Sequence, residues 1–152
     1  MVFDVMNACP QHQFQLLKKR PERAVRLAQE FAWTKNIWFG TSIENMSVAH
    51  RADSLRKVPA HVRFISAEPL LGRLDYLDLT GIDWVIGGGA SNIGFRPVEL
   101  AWAQGLRTLC ERHSVAFFWK QWGGRTSKSG GRSLDGRTWN EYPVALTTVQ
   151  AP

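Results

Sequence analysis

Cysteine is scarce in this sequence, which has only Cys9 and Cys110 among its 152 residues. Neither cysteine stands in a paired spacing of the kind that holds zinc or an iron–sulfur cluster, and the four histidines share no ligand spacing either. We therefore expect no metal site and no iron–sulfur cluster in the chain. Both cysteines are interpreted as buried core thiols, and no disulfide is expected between them.

Long apolar runs and acidic residues are also few. No run approaches the roughly 18 apolar residues that a membrane-spanning helix needs, and Met1 is not followed by the charged and apolar segments of a signal peptide. We expect a cytoplasmic protein with no membrane partner. Acidic residues number 13 against 19 Lys and Arg, which leaves a formal charge of +6. That excess favours an anionic partner such as nucleic acid or a phosphorylated ligand.

Short apolar segments alternate with helical patterns along the chain. The apolar segments lack the polar alternation of a strand with one wet face, which predicts a parallel sheet in an α/β domain. The predicted strands are Gln13–Leu17, Ile37–Ile43, Val62–Ala67, the run from Asp83 into Gly87, and Val115–Trp119. The predicted helices are Val2–Cys9, Pro21–Trp33, Met46–Lys57 and Val98–Arg112.

A complete eight-unit barrel needs about 250 residues, so this chain is long enough for only part of one. Two architectures fit: a partial (half) TIM-type barrel of about five parallel strands with covering helices, and an open, doubly wound sheet. We expect a half-barrel over residues 1–124. Residues 125–152 are interpreted as a Gly/Ser/Arg-rich loop and C-terminal extension of the same domain, with an Asp135-Gly136 turn and a loosely held tail from Pro143. Because a half-barrel exposes two strand edges and an apolar inner face, we expect a homodimer or a partner chain that covers the open edge.

Polar residues follow every predicted strand, and parallel strands bring such exits to one edge of the sheet. The fourth strand ends in a run of three glycines, whose backbone N–H groups are expected to bind an anion, with Arg96 adding a charge nearby. The same glycines also suit a tight connection with no ligand. No catalytic residue is assigned. The polar exits are Lys18, Lys19, Glu44, Glu68, Gly87, Gly88, Gly89, Ser91, Lys120 and Gln121.

Each charged candidate has a structural alternative. Glu68 suits a ligand, and equally a structural acid that accepts backbone N–H bonds or pairs with Arg63. Glu44 suits a position at the start of a helix, where its negative charge would stabilise the helix N-terminus through the helix dipole. Lys120 suits a phosphate or carboxylate, and equally a surface lysine whose stem covers neighbouring indoles.

Five blocks of the sequence resemble successive motifs of an uncharacterised family common in phages and prophages. Its members are radical-S-adenosylmethionine-like, with a three-cysteine motif near the N-terminus, and this chain resembles only their C-terminal part. It has Ala90 where the family usually has Glu, and Lys18 where the family usually has Thr. The blocks are Phe14–Arg23, Ser66–Gly72, Asp83–Gly88, Phe117–Gly123 and Leu134–Trp139.

The resemblance implies a C-terminal part of a phage-type radical-S-adenosylmethionine-like protein, inactive alone because the cluster-binding cysteines are absent. The opening helix is accordingly interpreted as one whose front is cut away, as in a truncated longer protein. S-adenosylmethionine would then bind at Gly87, Gly88, Gly89, Ser91, Glu68, Arg96 and Lys120. The alternative is a basic nucleic-acid-binding module of phage or prophage origin, in which Trp119 or Trp122 stacks on bases. The cations of that module are Lys18, Lys19, Arg20, Arg125, Lys128 and Arg132.

Overall fold

The computed structural model describes residues 2–126 and 128–143, so the predicted tail lies almost wholly outside the described residues. Five strands form one sheet in the order β1-β2-β3-β4-β5, and every neighbouring pair is parallel. The predicted sequential parallel sheet of an α/β domain is therefore confirmed. The strands are β1 (Phe14–Lys18), β2 (Ile37–Ser42), β3 (Arg63–Ala67), β4 (Trp84–Gly88) and β5 (Ala116–Gln121).

Four α-helices connect and precede the strands: α1 (Val2–Asn7), α2 (Pro21–Leu27), α3 (Arg51–Arg56) and α4 (Leu100–Arg112). Two of the predicted helices are shorter than expected, because single 3-10 turns take up their ends. Ala28–Glu30 forms such a turn after α2, and Met46–Val48 forms another before α3. Asn45 starts the second turn by accepting a hydrogen bond from the Ser47 N–H at 3.0 Å. Among the described residues, no helix is long and apolar enough to cross a bilayer.

One face of the sheet packs against the helices and forms the main core. Phe39, Ile65, Val85 and Phe117 lie on this face, one from each of β2 to β5, and all are buried. Leu106 of α4 is completely buried in the same cluster. Because side chains alternate along a strand, the residues between these point to the opposite face.

The opposite face, which we call the open face, carries a second cluster built on Trp38, Phe64 and Trp84. Ile86 and Phe118 pack on it and are half-buried. None of the described helices contributes to this cluster. The C-terminal extension covers part of it instead, since the Trp84 Nε1–H donates to the Glu141 carbonyl at 2.9 Å. Tyr142 places its ring 5.3 Å from that of Trp84.

The expectation of two unpaired sheet edges is wrong for β5. Residues 139–141 run antiparallel beside β5, where the Trp119 N–H donates to the Trp139 carbonyl at 3.0 Å and the Glu141 N–H donates to the Phe117 carbonyl at 3.1 Å. The predicted Asp-Gly turn precedes this segment and is confirmed, with positive φ at both Asp135 and Gly136. On the other side, no strand lies beyond β1 in the part of the chain that the structure describes.

Candidate ligand-binding site

Three polar side chains, one after β3 and two in β5, meet across the end of β4 at the carboxyl end of the sheet. Glu68 follows β3 directly, and its Oε2 lies 3.1 Å from the Lys120 Nζ of β5. Gln121, also of β5, places its Nε2 at 3.4 Å from the other Glu68 oxygen. The interpretation of Glu68 as a partner of Arg63 is wrong, because the Arg63 Nε–H donates to the Val58 carbonyl instead. Glu68 and Lys120 keep 21% and 53% of their side-chain surface exposed, so a ligand can reach both.

Gln121 holds this cluster against the loop that follows β4. Its amide donates to the Gly89 carbonyl at 3.2 Å and to the Ser91 Oγ at 2.7 Å. The residue is 7% exposed, so these hydrogen bonds are shielded from water and fix the side chain in place. Glu68 therefore faces a buried, hydrogen-bonded amide on one side and a more exposed ammonium on the other.

The three glycines at the end of β4 are needed for different structural reasons: Gly87 and Gly88 are its last two residues, and Gly89 follows it. Gly87 faces the helices, where a Cβ would come within 2.9 Å of the buried Trp119 ring. Gly89 backs onto the neighbouring loop, where a Cβ would overlap the Trp122 carbonyl, and its N–H already donates to the Gln121 carbonyl. Only Gly88 turns toward Glu68, at an ordinary distance of 3.5 Å for a Cβ. Close packing, against a core ring at Gly87 and against the neighbouring loop at Gly89, thus accounts for two of the glycines assigned to a ligand.

A cavity of about 590 Å³ lies on the open face beside this cluster. Its floor is aromatic and aliphatic, and its rim carries Glu68 and Lys120 at the carboxyl end of the strands. Arg132 from the C-terminal extension closes one side, with its guanidinium 4.9 Å from the Phe118 ring centre and a hydrogen bond to Asn140. Arg96 is exposed and forms no hydrogen bond or ion pair with the described residues. The remaining lining includes Gln15, Leu17, Ser66, Ile86 and Tyr142.

Glu44, at the exit of β2, belongs to a separate ion-pair group. Lys19 Nζ lies 2.8 Å from one carboxylate oxygen and Arg51 Nη1 lies 3.2 Å from the other. Burial pushes the pKa of Glu44 upward, but the Lys19 hydrogen bond, the backbone of Glu44 itself and the charges of Lys19 and Arg51 outweigh it and lower the pKa. Glu44 therefore joins β1, β2 and α3.

Replacing Glu44 with glutamine should lower the free energy of unfolding by about 1–3 kcal/mol near neutral pH, because hydrogen bonds to a charged group are lost. Folding lowers the pKa of Glu44, so its carboxylate stabilises the fold fully above the pKa of an unfolded glutamate, about 4.3. This stabilisation is lost as the pH falls through the folded-state pKa. Denaturant unfolding across this pH range should show the difference between the two proteins shrinking in acid.

The exposed Glu30 offers a matched control. Glu30→Gln should change stability little, because the side chain is exposed. A difference between wild type and Glu44→Gln that stays constant into strong acid would contradict the assigned ion pairs.

The cations expected to bind nucleic acid do not line one cavity. Lys18, Lys19 and Arg20 line a cavity beside α2, on the helix side of the sheet, whereas Arg132 lines the cavity on the open face. Arg125 and Lys128 are exposed in the loop after β5.

The two tryptophans proposed for stacking differ in accessibility. Trp119 is completely buried, so it cannot stack on a base, and that part of the hypothesis is wrong. Trp122 is half-buried against Trp119, with its Nε1–H donating to the Ser133 carbonyl at 2.6 Å.

The cysteines do not fit an iron–sulfur cluster. Cys110 is buried on the core side of α4, and burial, with a smaller contribution from the charge of Glu141, raises the pKa of its thiol to about 12. Cys9 follows α1 and is only half-buried, so its interpretation as a core thiol is wrong. Both thiols are free, and within residues 2–126 and 128–143 no group of three His, Cys, Asp or Glu side chains is placed to hold a metal.

Two features of the site were missed in the sequence. Arg51 pairs with Glu44 from a helix that follows β2, and only its position seven residues after the acid hints at the contact. An apolar inner face was expected, but its aromatic character was not, because both faces of the strands are apolar. Its signal is the alternation of large rings at Trp38, Phe64, Trp84 and Phe118 with the core residues beside them.

The sequence was compared with known protein families, curated proteins and solved structures, and it matches one family. The family model described as a protein of unknown function (DUF5131) matches residues 1–143. No curated protein and no solved structure matches the chain. The matched span includes all five strands and the segment that covers the β5 edge.

Proposed function

The chain belongs to the DUF5131 family of proteins of unknown function, and we propose that it is the C-terminal, ligand-binding part of a radical-S-adenosylmethionine-like protein of phage or prophage ancestry. In this proposal the five parallel strands are half of a TIM-type barrel, and the open face is its inner wall. The ligand is S-adenosylmethionine or a closely similar adenine nucleoside. The motif resemblance supports the ancestry, since its blocks lie within the matched residues.

The observation that carries the proposal is the combination of an aromatic floor with a charged rim on the open face. A purely structural sheet face of this kind would be covered by helices, as the other face is. Here Phe64, Trp84 and Phe118 border a cavity whose rim bears Glu68 and Lys120. The cavity volume of about 590 Å³ lies within the range of small-molecule sites.

S-adenosylmethionine fits this arrangement by its chemistry. Its adenine ring would lie against the aromatic floor. Glu68 would accept hydrogen bonds from ribose hydroxyls or the ammonium group, and Lys120 would hold the carboxylate. The missing side chain at Gly88 leaves room beside Glu68. When bound, this cofactor supplies an activated carbon–sulfonium bond.

The chain's own residues bind and orient the ligand in this proposal, and no redox step is assigned to them. An iron–sulfur cluster would have to come from another polypeptide segment, since Cys9 and Cys110 lie in separate, unsuitable surroundings. The side-chain amide of Gln121 keeps Glu68 oriented. It contacts the Glu68 carboxylate, the Gly89 carbonyl and the Ser91 hydroxyl at once.

Calorimetric titration with S-adenosylmethionine tests the role of Glu68. The wild-type chain should bind, and Glu68→Gln should weaken binding about tenfold, since one hydrogen bond to a charged group is lost. Asp53→Asn is the matched control, because Asp53 is an acid of α3 that pairs with Arg56 rather than with the open face. Wild-type binding that Glu68→Gln leaves unchanged would contradict the assignment of Glu68, and no binding by the wild type would contradict the proposal as a whole.

A further inference from the structure

A second cavity, of about 620 Å³, lies on the helix side of the sheet between α2 and the strands β1 and β2. We call it the cationic cavity. Its walls are apolar, with Leu16, Leu27 and Phe39 among them. Phe3 of α1 closes one side by stacking on Phe31, with ring centres 4.3 Å apart. The interior therefore suits an apolar group of a ligand.

Four cations line the same cavity: Lys18, Lys19, Arg20 and Arg23. Lys19 is paired with Glu44 at 2.8 Å. The side chains of Lys18, Arg20 and Arg23 form no ion pair or hydrogen bond within the described part of the chain. Like charges that line one cavity repel one another, and these three lack a counter-charge that an anion would provide.

We propose that the cationic cavity binds a small amphipathic anion, with an aromatic or aliphatic body among the apolar walls and a carboxylate, sulfonate or phosphate group against Lys18, Arg20 and Arg23. Charge complementarity sets the head group, and guanidinium groups suit such oxyanions. The volume is enough for a ligand of ordinary small-molecule size.

This site is separate from the cavity on the open face. Leu16 and Lys18 point toward the helices, whereas Gln15 and Leu17, their neighbours along β1, line the open-face cavity. The sheet itself lies between the two cavities. Loss of one binding activity can therefore be measured without loss of the other.

The test uses 8-anilinonaphthalene-1-sulfonate, an aromatic anion whose fluorescence rises in apolar surroundings, and its uncharged analogue N-phenyl-1-naphthylamine. The anion should bind more tightly than the analogue. Arg23→Gln should weaken binding of the anion roughly fivefold, because a charge-assisted contact is lost, and should leave the analogue unaffected. Arg26→Gln is the matched control, since Arg26 lies on the same helix, is exposed and does not line the cavity.

Three results would overturn the proposal. The first is equal affinity for the anion and its neutral analogue. The second is loss of anion binding in Arg132→Gln but not in Arg23→Gln, which would place the probe on the open face. The third is an absence of probe binding to the wild type; a dimer in sedimentation that Leu27→Asp dissociates would then show that a second copy of the chain occupies the cavity.

Discussion

Replacing Gly89 with alanine is expected to destabilise the fold by about 3 kcal/mol, as overpacking of a rigid contact does. The added Cβ would overlap the Trp122 carbonyl oxygen and lie 2.6 Å from its carbonyl carbon. Backbone on both sides is fixed, because the Gly89 N–H donates to the Gln121 carbonyl and the Gly124 N–H donates to the Ala90 carbonyl. Neither loop can move aside without breaking these hydrogen bonds. Equilibrium unfolding in urea measures the change.

Gly88→Ala is the matched control for Gly89→Ala. At Gly88 a Cβ would meet Glu68 and the Gln121 carbonyl only at an ordinary 3.5 Å, so its stability should change by less than about 1 kcal/mol. Similar losses in the two variants would show that the glycines are needed for a reason other than this loop contact.

Replacing Gly88 with valine is expected to weaken binding of S-adenosylmethionine at least about tenfold, while Gly88→Ala weakens it less. The branched side chain would extend from the position facing Glu68 into the space that the ligand needs. Calorimetry with S-adenosylmethionine and S-adenosylhomocysteine measures both affinities, and thermal unfolding checks that the valine variant remains folded.

The affinities of S-adenosylmethionine and S-adenosylhomocysteine together decide whether the site lies beside Gly88. Weakened binding of both to Gly88→Val supports a site shared by their common adenosyl group. Equal binding of both ligands to wild type and Gly88→Val would place the site elsewhere and refute the role of the open face beside Gly88.

The parallel sheet could be predicted because its signal is local and repeated. Each strand is a short apolar run such as the one containing Phe39 or Ile65, and the helices between them mark crossovers. The cover over the β5 edge could not be predicted, since Trp139 and Glu141 pair with β5 through backbone groups, which carry no side-chain pattern. The ends of α2 and α3 were likewise misplaced, because a 3-10 turn keeps nearly the same helical spacing as the helix that it extends.

The candidate site also has features that could be predicted from the sequence and features that could not. Glu68 and Lys120 could be named from the sequence, because parallel strands bring their carboxyl ends to one edge regardless of sequence separation. The purpose of each glycine could not, since composition alone does not show that Gly87 faces Trp119 and Gly89 faces Trp122. The burial of Trp119 was missed for a related reason: alternation places it toward α4, between Phe118 and Lys120, which face the other way.

The most direct test of the open-face site is a nuclear magnetic resonance titration of the isotope-labelled chain with S-adenosylmethionine, followed through its backbone amides. The site assigned here predicts shifts concentrated at the carboxyl end of the sheet, at Glu68, Gly88, Lys120 and Gln121. Shifts concentrated at the amino ends of the strands, around His61, Asp83 and Ser114, which line a cavity there, would contradict it, as would a spectrum that the ligand leaves unchanged.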